Sequence, residues 1–205
     1  MEPGFFLRGL LIGFSIAAPV GPIGVLCIRR TLVDGRLAGL ASGLGAATAD
    51  AFYGSLAGFG LTLAANFLVS QQNWLRLGGG LFLLYLGVKT FLSAPSGEAG
   101  QAAKTASRGL WGAYLSTLLL TLTNPLTILS FVAIFAGLGL AETGGDSLSA
   151  GTLVLGVFCG SAAWWLLLSG GVSLLRAKVT TGTLRWINRL AGLVIIGFGV
   201  AALVL

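Results

Sequence analysis

Three prolines stand where an apolar helix would have to break. Pro19 and Pro22, in Ala18-Pro19-Val20-Gly21-Pro22, and Pro125, in Thr123-Asn124-Pro125-Leu126, each lie inside a run apolar enough to cross a bilayer. Proline has no N–H and its ring crowds the carbonyl four residues back, so these three would release the carbonyls of Ser15, Ala18 and Thr121. In hydrocarbon a free carbonyl is costly, and non-helical backbone survives at membrane depth only where protein buries it or water reaches it. Two such breaks imply a polar cavity walled by both segments, the way a transporter builds its binding site. After each break the helix restarts with proline at its first position, behind Gly21 in one case and the amide-bearing N-cap Asn124 in the other. Both restarting half-helices would aim N–H groups and positive dipole ends at the middle of the membrane, where they suit a carboxylate. For a single break a plain proline kink competes with this reading. Two breaks at matching positions favour a functional one.

Asp50 is the only acidic residue inside an apolar run. Counted from Leu37 it lies ~20 Å along its helix, near the midplane and the depth of the breaks. A lone intramembrane carboxylate usually faces a cavity or a proton relay. Asp50 is therefore expected either to bind a substrate ammonium group or to carry a coupling proton, since its proton affinity would change as a cavity alternates between wet and closed. Thr48 and Thr123 are further candidates at that depth, with Ser15, Thr121 and Thr127, although membrane hydroxyls often bond their own backbone. Trp164 and Trp165 sit mid-helix, where packing inside a bundle competes with lining a cavity. Arg29, Arg30, Arg176 and Arg185 read as orienting and snorkelling residues.

The elements that must hold these groups are helices. The 205 residues are 56% hydrophobic and 9% charged, with 33 glycines, and mean hydropathy is +0.95. About twenty apolar residues span a bilayer. Six segments qualify: Gly4 to Ile28, Leu37 to Asn66, Trp74 to Leu92, Gly109 to Leu140, Gly151 to Leu175 and Leu184 to Leu205. The expected fold is an all-α integral membrane protein of six transmembrane helices, with helices 1 and 4 broken at proline. Met1 to Pro3 lacks a basic n-region, so the first helix is expected to remain uncleaved. Basic residues concentrate at the odd connections: Arg29, Arg30 and Arg36; Lys89, Lys104 and Arg108; Arg176, Lys178, Arg185 and Arg189. The other side keeps Arg8 and Arg76 and adds Glu2, Glu142 and Asp146. The positive-inside rule then puts both termini outside.

Residues 93–108, with Pro95 and several Gly, Ala and Ser residues, read as a linker between two halves, 4–92 and 109–205, of a single transporter domain. The halves resemble one another. Gly21-Pro22-Ile23 aligns with Asn124-Pro125-Leu126 at an offset of 103, and Gly43 and Thr48 align with Gly156 and Ser161 at 113. Trp74, Gly80, Gly87 and Val88 align with Trp186, Gly192, Gly199 and Val200 at 112. Three spans per half make the second copy inverted, an arrangement suited to alternating access. The pairs Gly9/Gly13, Gly39/Gly43, Gly54/Gly58 and Gly156/Gly160 offer flat strips for helix packing, within the bundle or in a homodimer.

Other chemistry is poorly supplied. With no histidine and a single intramembrane carboxylate, no metal site is expected, and no nucleophile stands with a base, so no catalytic residues and no cofactors are expected either. Cys27 and Cys159 share no CxxC spacing; a thiol or electron conduit and a divalent-metal exporter remain as competing functions. The +6 charge is not gathered on a patch suited to nucleic acid.

On the stretch GFSIAAPVGPIGVLCIRRTLVDGRLAGLASGLGAATAD and on LTLTNPLTILSF, the sequence resembles the LysE/RhtB family of amino-acid exporters. The resemblance covers nearly the whole chain in length and hydropathy. It implies export of amino acids or related metabolites from the cytoplasm across a bacterial inner membrane, driven by proton motive force. It also implies that Pro19, Gly21, Pro22, Asp50, Asn124 and Pro125 are site or gating positions.

Overall fold

A computed structural model describes residues 3–19, 21–59, 70–93, 102–124, 127–131, 147–176 and 180–204. Pro125, Val20 and residues 94–101 of the 93–108 stretch lie outside the described residues. Within them the chain is helical: α1 (Pro3–Ala17), α2 (Pro22–Val33), α3 (Arg36–Gly58), α4 (Gln72–Phe91), α5 (Ala102–Leu122), α6 (Ser147–Leu175) and α7 (Thr181–Val204), with 127–131 helical as well. Helix α5 starts at Ala102, inside the stretch read as linker.

The first apolar run is two helices. The last bond of the first comes from Ala18 N–H to Phe14 O at 3.0 Å, and the second opens at Gly21 with Pro22 in its first turn. Their axes turn by 81°, and the pair together is long and apolar enough for a broken span or a re-entrant loop; α6 and Arg185–Val204 are each long and apolar enough to cross alone. Helix α2 runs on to Val33, which carries Arg29 and Arg30 inside a helix rather than in a connection. It stops because Arg30 O accepts both Asp34 N–H and Gly35 N–H, with Gly35 at φ +105°, a conformation glycine adopts without strain. At the start of α7 the Thr180 hydroxyl accepts Thr183 N–H at 3.3 Å, an N-cap.

Packing follows the glycines. Helix α1 lies along α6, α3 along α5 and α6, α4 along α7, and α2 meets α3, α6 and α7. A Cβ on Gly9 or Gly13 would strike the backbone of Leu153 or Val157, and one on Gly156 or Gly160 that of Phe6 or Leu10. Gly43 faces Trp165, Gly39 faces Thr31 and Cys27, Gly54 faces Val157, and Gly58 faces Ala150 and Leu153. All four small-residue pairs read from the sequence thus serve contacts within the chain. Lipid is as apolar as leucine, so close backbone approach holds such helices together.

Polarity is reversed relative to a water-soluble core. Ser42, Asp50, Thr117, Thr121, Ser161 and Asn188 are buried, whereas Trp74, Leu92, Leu174 and Val204 are each more than 70% exposed. Such an outer surface is stable only in hydrocarbon.

Candidate functional site

Asp50 sits where α3 crosses α6. It is 3% exposed, and its Oδ2 accepts a 2.7 Å hydrogen bond from the fully buried Ser161 hydroxyl. A carboxyl group withdrawn from water needs such a donor, and Ser161 supplies it from the other half of the chain. One turn further along α3, the Tyr53 hydroxyl donates to Leu122 O, next to the second break, while its ring packs on Phe131 at 5.6 Å. Helix α3 therefore addresses both breaks, because Ala46 and Ala47 share a buried cluster with Ala17 and Ile23, which flank the first.

The two breaks close in the same way. Val25 N–H bonds Gly21 O at 3.1 Å, and Ile128 N–H bonds Asn124 O at 3.2 Å. Gly21 is extended (φ −104°, ψ −162°) and provides no side-chain cap, Pro22 is buried, and Pro19 is exposed. Thr123 presses its carbonyl toward Gly79 of α4, where a Cβ would stand 2.8 Å away.

The hydroxyl candidates are engaged locally. Thr48, Thr121 and Thr123 each donate to the carbonyl four residues back at 2.8 Å, which satisfies them without a ligand. Thr48 also accepts the Tyr114 hydroxyl at 3.0 Å. Trp164 packs edge-on against Phe14 of α1. Trp165, a turn beyond Ser161, is buried against Gly43 of α3.

Arg29 and Arg30 do more than snorkel. Arg30 donates from α2 to Ser42 of α3 at 2.7 Å and to Ala113 O, Thr117 and Ser116 of α5 at 2.8–2.9 Å. Arg29 reaches Asn188 of α7 at 2.9 Å and Ser93 at 3.1 Å, with Asp34 at 3.5 Å. A half-buried guanidinium must find several acceptors, and these come from helices far away in sequence. Ser161 and Tyr53 were equally unmarked. The available signals were the alignment of Ser161 with Thr48 and the spacing of three that puts Tyr53 on the Asp50 face.

Among the described residues no group of three or more His, Cys, Asp or Glu side chains could hold a metal ion, and Cys27 and Cys159 are free thiols.

An apolar exterior, long apolar helices and a carboxylate sealed between two of them define a multi-pass α-helical membrane protein. A family model described as LysE type translocator matches residues 14–205, and the chain belongs to that family of membrane transporters. It is 29% identical over 201 residues, 95% of this chain and 92% of the relative, to a Bacillus subtilis (strain 168) protein named "Putative amino acid efflux protein YcgF". It is 28% identical over 169 residues, 82% of this chain and 75% of the relative, to the "Uncharacterized membrane protein YahN" of Escherichia coli (strain K12). No solved structure matches.

Proposed function

We propose that this translocator is a secondary active exporter of amino acids or related small zwitterionic metabolites, exchanging them for protons across the cytoplasmic membrane. The observation that carries the reading is the Asp50–Ser161 bond: a carboxyl group buried at an interface between the two halves, on the helix whose Ala46 and Ala47 pack beside the first break. Taking up or releasing a proton changes what Asp50 offers Ser161, and so changes how α3 and α6 hold each other. Substrate release and proton uptake then become one event. The positive start of α2 suits a carboxylate and Asp50 an ammonium group, which together describe a zwitterion. The name of the Bacillus subtilis relative points the same way.

Six spans in two inverted three-helix repeats, joined within one domain, are part of this reading. Two observations support it. The closing bonds Val25–Gly21 and Ile128–Asn124 recur at the 103-residue offset of the repeats. A Cβ on Gly80 would lie 3.2 Å from Gly199 O and one on Gly87 3.1 Å from Gly192 O. The repeat exchanges Gly80 with Gly192 and Gly87 with Gly199, so these two contacts are images of each other. Both termini outside and Pro19, Gly21, Pro22, Asn124 and Pro125 as gating positions belong to the same proposal.

Counterflow of labelled amino acids in proteoliposomes, with and without an imposed pH gradient, tests it. Gradient-responsive uptake by wild type that is lost in Asp50→Asn is the expected result. Movement of no amino acid, or full coupling in the variant, overturns it.

A further inference from the structure

Trp165 carries a polar atom that the fold leaves without a use. The residue is 4% exposed, and its indole Nε1 finds no hydrogen-bond partner among the described residues. A buried N–H without an acceptor is costly and uncommon. The ring rests on Gly43, with Cγ and Cδ2 at 2.7 and 3.3 Å from where a Cβ would stand, which turns the edge bearing Nε1 away from that glycine. The cluster it enters includes Ala17, Ile23, Ala46 and Ala47, whose side chains accept no hydrogen bond. An acceptor for this N–H has to come from elsewhere.

A second set of donors lies at the start of α2. Helix α2 has no side-chain cap, and its first closing bond is that of Val25 N–H. Pro22 has no N–H, so those of Ile23 and Gly24 are donors the helix itself does not satisfy. Ile23 belongs to the same buried cluster as Trp165.

We propose that Trp165 Nε1–H is a substrate-binding donor which, with the Ile23 and Gly24 amides, receives the carboxylate of the exported molecule. The proposal rests on the exporter reading above and narrows it. Trp165 and Ile23 share one buried cluster, and donors there without an acceptor suit an anionic oxygen, while Asp50, bonded to Ser161 one turn before Trp165, suits the opposite charge. Trp165 would then be the residue that favours the free amino carboxylate over the amine with the same side chain.

The test compares wild type with Trp165→Phe, which keeps an aromatic ring against Gly43 and removes the N–H. Each standard amino acid with a primary amino group that competes in counterflow is measured beside the primary amine bearing its side chain. Wild type is expected to prefer the amino acid by about a hundredfold, and the variant to narrow that preference about tenfold while binding the amine as before. An unchanged preference overturns the proposal and leaves the exporter reading standing. An equal loss for both compounds marks a packing role and also overturns it. Wild type that takes amines and no amino acids removes the exporter reading and the proposal together. Should the variant not fold, indole 15N spectra of wild type decide among its five tryptophans. One buried indole N–H is expected to move downfield with the amino acid and not with the amine, and no movement overturns the proposal.

Discussion

The Asp50 carboxylate on α3 and the Ser161 hydroxyl on α6 meet at 2.7 Å across 111 residues of sequence, both buried. An acidic group in that position is costly to keep, and its one described hydrogen bond joins the two halves of the chain.

Replacing Asp50 by asparagine keeps an acceptor for Ser161 and removes the ionisable group. Gradient-driven flux is expected to fall to background, while the melting temperature in detergent holds or rises because a buried carboxyl group is gone. Flux and melting are measured on the same preparation.

Ser161→Ala deletes a donor to a buried carboxyl group, a loss of about 1.5–3 kcal/mol. In the Asp50→Asn background the same change should cost less. A double-mutant cycle on thermal stability reads the coupling, and additive effects would mean the pair does not act as a unit.

Gly13→Ala and Gly160→Ala push a methyl group into Val157 and Leu10 backbone respectively, and should separate α1 from α6. Overpacking of this kind costs about 1–3 kcal/mol. Gly171→Ala and Gly197→Ala meet nothing within 4 Å and serve as controls in the same melting assay, where they should hold or raise the melting temperature because alanine is the better helix former.

Arg30→Gln should be milder than Arg30→Lys. Ser42, Ser116 and Thr117 already donate to their own backbone carbonyls, so they stay satisfied without the guanidinium. A lysine would keep the charge and lose the fork that reaches all four acceptors. Either change loosens α2, so buried Cys27, one turn earlier, should react faster with N-ethylmaleimide in a Cys159→Ser background.

Tyr53→Phe keeps the ring against Phe131 and removes the donor to Leu122 O at the second break. An unsatisfied carbonyl there should cost about 1–3 kcal/mol, read as a lower melting temperature.

Local chemistry made much of this readable in one dimension. Apolar runs marked where helices lie, Gly21-Pro22 marked the break, and Asp50 stood out because no other acid shares its surroundings. Each of these follows from a residue and its near neighbours: proline blocks a bond four residues away, and a charge in hydrocarbon is costly wherever its partner lies. The sequence by itself therefore determined that the chain is helical, membrane-borne and broken at Gly21-Pro22. Which hydroxyl meets Asp50, which carbonyl Tyr53 serves, and that Arg29 ends on Asn188, 159 residues away, came only with the tertiary structure. In water an apolar stripe would have announced the packing face of each helix. In lipid both faces are apolar, and register is set by how closely glycines such as Gly9 and Gly156 let two backbones approach.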